Sequence, residues 1–100
     1  MTTNDQYDIN FTIGAKDFCM LFIATGSNSG TLKLFYKDTG AGSWTSGETH
    51  TQSNIASGTS YQSGSGNIGF NLASSSSAAD GSIKFIVKRS YLTSLGASGD

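Results

Sequence analysis

Apolar residues recur at every second position in several short runs of this chain. A period of two marks a strand with one face in a core and one outside it. Tyr7, Ile9, Phe11 and Ile13 alternate with Asp8, Asn10 and Thr12 over residues 6–13. Leu32, Leu34 and Tyr36 alternate with Lys33, Phe35 and Lys37 over 31–37. Ile68, Phe70 and Leu72 repeat the pattern over 67–73, and Ile83, Phe85 and Val87 over 82–89. No stretch keeps a helical period of 3.6 with a cap at each end, so no helix is expected, and residues 91–95 read as an extension of the last strand or an exit from the sheet.

Turn chemistry separates the runs. Gly14–Lys16 and Gly26–Gly30 are turn clusters, and the glycines of Asp38–Ser43 suit a hairpin loop returning through Trp44. Ser74–Gly81 is a low-complexity connection. Residues 44–65 carry a weaker pattern, with strands placed at 44–45, then 49–56 or 59–63. Strands about ten residues apart predict an all-β fold: a β-sandwich or jelly-roll-like barrel of about six to eight short antiparallel strands. With 100 residues, the expected organisation is a polar N-terminal arm at 1–5, a single β domain at 6–95 and a flexible C-terminal end at 96–100.

Charge excludes some functions. Only 13% of the residues are charged and the formal net charge is −1, unlike a nucleic-acid binder or an acidic tail. Between Lys37 and Lys84 the charged side chains are Asp38, Glu48 and Asp80 alone. Hydroxyls and amides keep this middle in solution, and such a surface costs less to desolvate than one rich in lysine and glutamate. Cys19 is the single cysteine, so no intramolecular disulfide is possible, and its apolar run suggests an inert thiol. Met1–Gln6 has no basic patch ahead of an apolar stretch, and the run Phe18–Ala24 is about a third of a membrane-spanning helix. The expectation is a protein made in the cytoplasm without a signal peptide and with no membrane contact.

Catalytic and metal-binding patterns are sparse. His50 is the only histidine, and Glu48 would share its face on a strand. No nucleophile-elbow pattern surrounds a serine, so the pair reads as a surface feature. One histidine and one distant cysteine cannot build a four-ligand zinc site in one chain; a threefold axis gathering three copies of His50 is the remaining geometry. Asp38-Thr39-Gly40 and Asp80-Gly81-Ser82 lack the neighbouring carboxylates of a calcium loop. Gly64-Ser65-Gly66-Asn67-Ile68-Gly69 has dinucleotide-motif spacing but runs into a strand pattern where a helix is needed. Asn10-Phe11-Thr12 matches a glycosylation acceptor placed in a strand. No cofactor, no metal and no enzymatic activity are expected.

Three features point to contact with other molecules. Residues 17–24 are apolar on both parities: Phe18, Met20 and Phe22 on one, Cys19, Leu21 and Ile23 on the other. A two-layer sandwich buries only one face of a strand, so the second set needs a cover, from this chain or from a partner. Five of the six basic residues lie in two strand candidates, where Lys33 and Lys37 bracket Phe35, and Lys84 and Lys88 bracket Ile86. If those strands share a sheet, they form a lysine-framed apolar face suited to an acidic protein surface, with nucleic acid ranked below it. Tyr36, Trp44 and Tyr61 lie in or beside loops and are candidate sugar contacts, because carbohydrate stacks on exposed rings.

The Ser/Thr/Gly/Asn bias along all 100 residues, the short alternating strands and the lone cysteine are together similar to small structural proteins of tailed bacteriophages, the capsid decoration and tail or fibre components. The resemblance is one of composition and aligns no functional residue. It implies a non-enzymatic virion protein that assembles as an oligomer or docks on a capsid or tail shell, with other copies of itself and a shell protein as partners. A carbohydrate- or receptor-binding module of fibre-tip type is the alternative.

Overall fold

The computed structural model describes residues 1–73 and 82–98. Its strands are β1 (Gln6–Ile13), β2 (Lys16–Gly26), β3 (Ser29–Asp38), β4 (Thr45–Gln52), β5 (Ser60–Gln62), β6 (Ile68–Leu72) and β7 (Ile83–Val87), followed by a six-residue helix, α1 (Arg89–Ser94). They form two antiparallel sheets, of order β1-β2-β3-β4 and β5-β6-β7. Of the two forms expected, the two-sheet sandwich is the one observed, and each sheet is a simple meander.

The alternation sets the register. Tyr7, Ile9 and Phe11 lie opposite Phe22, Met20 and Phe18, and Met20 and Phe22 lie opposite Leu34 and Leu32. A one-residue slip would turn every one of these side chains to the other face. In the second sheet Ile68, Phe70 and Leu72 pair with Val87, Phe85 and Ile83. The two inner faces meet in one core of Phe18, Met20, Phe22, Leu32, Leu34, Ile68, Phe70 and Leu72. Phe22 and Phe70 touch across it, with ring centroids 4.8 Å apart and planes tilted by 47°.

Two glycines explain local geometry. The β1–β2 turn is Gly14–Ala15, and Gly14 has φ +62°, which suits a residue without Cβ. Gly30 faces inward on β3, where a Cβ would overlap the Phe22 ring. The glycine leaves the room that ring occupies.

The ends of the chain depart from expectation. Residues 1–5 are tied down as a turn and do not form a loose arm. Met1 is buried, the Asn4 N–H donates to the Ala24 carbonyl at 2.8 Å, and the Thr2 N–H donates to Asp5 Oδ2 at 2.8 Å. At the other end, residues 91–95 belong to α1 and its C-terminal turn. Leu92 and Ala97 are buried, and the Ala97 N–H donates to the Leu92 carbonyl at 3.0 Å. The helix has no side-chain cap. Its stability comes from docking Leu92 on the core, because six residues are far below the length at which a helix holds alone in water. The expected connection at 74–81 and the last two residues of the 96–100 end lie outside the described residues.

Gly30→Ala is expected to lower unfolding stability by about 1–3 kcal/mol, because overpacking forces Phe22 off its position. Gly42→Ala, in open space, should change it by less than about 0.5 kcal/mol. Urea unfolding of the two variants measures the difference.

Candidate functional site

The outer face of the four-stranded sheet is built by the second parity of β2 and β3. Cys19 lies opposite Phe35, Leu21 opposite Lys33, Ile23 opposite Thr31, and Asp17 opposite Lys37. Asp8, Asn10 and Thr12 of β1 complete the rows on one side, and Thr49 and Thr51 of β4 on the other. Cys19, Leu21, Ile23 and Phe35 are half-buried and stand outside the core cluster. The loop after β3 brings Trp44 back over this face, 43% exposed, with Lys37 Nζ 5.1 Å from its ring centroid. The ring divides two shallow recesses of about 230 Å³ each. Cys19 and Phe35 line one; Asn10, Thr12, Asp17 and Lys37 line much of the other.

Hydrogen bonds organise the charged rim. Thr12 Oγ1 at 2.7 Å and Thr39 Oγ1 at 3.0 Å donate to Asp17 Oδ1. These bonds, with a smaller contribution from the Lys37 ammonium, hold the Asp17 carboxyl below the usual range despite some desolvation. Lys37 Nζ donates to the Ala41 carbonyl at 2.8 Å, which fixes the loop that carries Trp44. Burial pushes the Cys19 thiol above its ordinary pKa, and the Asp8 carboxylate adds to the rise. The thiol stays protonated near neutral pH and is a poor nucleophile.

Six of the nine residues expected at an interface meet on this face: Cys19, Leu21, Ile23, Lys33, Phe35 and Lys37. The other three do not join them. Lys84 and Ile86 lie on β7 and Lys88 just after it, in the second sheet, so the lysine-framed face expected across both strands is split between two sheets. The sugar-contact set also divides. Tyr36 and Tyr61 turn inward against the core, Tyr61 with its ring 5.6 Å from Phe70 and its hydroxyl accepting from the Ala56 N–H at 2.8 Å. Trp44 alone is on the outside.

Glu48 and His50 lie on β4, and a bulge explains their placement. Phe35 pairs with Ser46 and Lys33 with Thr49, so Gly47 and Glu48 together face the single residue Leu34. The Tyr91 hydroxyl accepts from the Glu48 N–H at 2.7 Å, which satisfies a backbone group the bulge exposes. The carboxylate reaches the turn between β5 and β6 and accepts from Ser63 Oγ, from Ser65 Oγ at 2.6 Å and from Asn67 Nδ2 at 3.2 Å. Desolvation is the largest influence on Glu48 and raises its pKa. The three hydrogen bonds and His50 together outweigh it, and the net shift is downward. His50 Nε2 pairs with Gln52 Oε1 at 2.8 Å. Glu48 is a staple between the sheets. Sequence reasoning missed it, since its partners are hydroxyls and an amide in a chain full of both. Gly64–Gly69 is the β5–β6 turn and the start of β6, with no helix behind it. Among the described residues no group of three His, Cys, Asp or Glu side chains could hold a metal ion, and no helix is long and apolar enough to cross a membrane.

No protein-family model, no curated protein and no solved structure matches this chain.

Because the Glu48 pKa is lower in the folded chain than in the unfolded one, the staple contributes fully above the usual glutamate value of about 4.3. Its contribution is lost as pH falls through the lower folded value. Thermal melts from pH 6 to pH 2 should therefore show a steep acid limb, and Glu48→Gln should flatten it and lower the melting temperature at pH 6.

Proposed function

We propose that this chain is a non-enzymatic structural protein that docks on a larger protein assembly, a virion shell being the setting its composition resembles. The outer face of the four-stranded sheet is the docking surface. One observation carries the reading: β2 is apolar on both faces, and only one of them enters the core. Leu21, Ile23 and Phe35 are half-buried, so covering each adds a fraction of the about 1.5–3 kcal/mol that full burial of such a side chain is worth.

The partner this face fits is a protein surface with an apolar centre and a carboxylate border. Leu21, Ile23, Cys19 and Phe35 supply the apolar centre, and Lys33 and Lys37 flank it. Among the described residues Lys33 has no acidic partner, while Lys37 is 3.9 Å from Asp17 Oδ2. Charges at such a rim steer encounter and set specificity more than they add affinity. A carbohydrate-binding module is the second reading. It rests on exposed Trp44 alone, whose ring already carries Lys37 over it.

In size-fractionated lysate of the producing cells, the wild-type chain is expected in a complex well above monomer size. Leu21→Asp should leave that complex and elute as the free chain, no larger than two copies, while keeping its circular dichroism spectrum and melting temperature. Monomer-sized wild type in every fraction would overturn the reading, and glycan binding lost on Trp44→Ala would favour the alternative.

A further inference from the structure

The outward edge of β1 carries an inference independent of the docking face. β1 is the outermost strand of its sheet, and no described strand pairs with its other side. Such an edge offers a row of free N–H and C=O groups to any strand that arrives. Natural edges are blunted by proline, lysine, bulges or short length. β1 has none of these: it is eight residues long, its pairing with β2 runs without a register shift, and its one charge is Asp8. The other edges are blunted, since β4 is bulged at Gly47 and Glu48, β5 has three residues, and β7 has five and carries Lys84.

Ile9 marks the same edge. It is 48% exposed, although it lies on the inner parity opposite Met20, and Tyr7 and Phe11 on either side of it are half-buried. Among the described residues nothing overhangs the middle of β1, and an isoleucine stands in water there.

We infer that β1 pairs antiparallel with β1 of a second copy about a two-fold axis at Ile9, making one continuous eight-stranded sheet. A two-fold axis normal to the sheet keeps inner residues opposite inner residues. With the axis at Ile9, Ile9 meets the partner's Ile9, Tyr7 meets the partner's Phe11, and Gln6 meets the partner's Thr12. The pairing joins aromatic and β-branched side chains of the kind that stabilise neighbouring strands. Charge supports this register. Asp8 falls opposite the amide of the partner's Asn10, whereas an axis one residue earlier would set two Asp8 carboxylates face to face. The contact is isologous and closes at two copies, as a two-fold interface must. Both outer faces then lie on the same side of the joined sheet, which doubles the docking surface without requiring it.

Analytical ultracentrifugation of the purified chain over a concentration series tests the inference. Wild type is expected to shift from one copy to two as concentration rises, and Ile9→Lys to remain at one copy with an unchanged melting temperature. Amide exchange within β1 should slow in the two-copy species and not in Ile9→Lys. Leu21→Asp should still form two copies. A wild type that stays single at every concentration overturns the inference, as does a two-copy species that survives Ile9→Lys. If Leu21→Asp alone dissolves it, the second copy sits on the outer face; the edge pairing then falls and the docking reading stands.

Discussion

Phe22 holds the two sheets to each other. Its ring meets Phe70 across the core, leans toward Tyr7 with centroids 6.4 Å apart, and occupies the space that Gly30 leaves open beneath it. A chain of this size buries a modest core, and truncating one such ring typically costs about 3–5 kcal/mol, a large part of what a small domain has. The remaining devices close the periphery of that contact. Met1 packs in from one end, and Leu92 and Ala97 from the C-terminal segment. Glu48 joins β4, a strand without an apolar residue, to the β5–β6 turn.

The fold was legible where hydrophobic periodicity was strong. β1, β2, β3, β6 and β7 follow their alternating or doubly apolar runs, because side-chain direction in a strand has a period of two. β4 was not legible, since its sequence, Thr-Ser-Gly-Glu-Thr-His-Thr-Gln, contains no apolar residue. Its one carboxylate residue, Glu48, is satisfied by Tyr91, Ser63, Ser65 and Asn67, partners that only the folded chain brings near, while His50 pairs with Gln52. α1 was invisible for a different reason: a single turn and a half has too few residues for a helical period, and it lacks a capping side chain. The terminal segments read as loose because their composition is polar. Backbone hydrogen bonds and one buried methionine hold residues 1–5, and composition does not report those.

The candidate site was half legible. The doubly apolar β2 announced a second face, and β3 joined it in the expected register. Lys84, Ile86 and Lys88 were grouped with that face through spacing alone, and spacing within a strand says nothing about which sheet the strand enters. Tyr36 and Tyr61 were grouped with Trp44 through proximity to loops; their parity, and not their loop positions, decides that they face the core. The unblunted β1 edge needed strand order as well as sequence, because an edge is defined by what fails to lie beside it.

Cys19 gives the outer face a chemical quietness. Its sulfur is shielded by neighbouring side chains and by the repulsion of a nearby carboxylate, so it remains a thiol at the pH of most surroundings. Disulfide exchange proceeds through the thiolate, and a suppressed thiolate slows it. A contact made on this face would therefore resist covalent cross-linking through Cys19 and stay reversible.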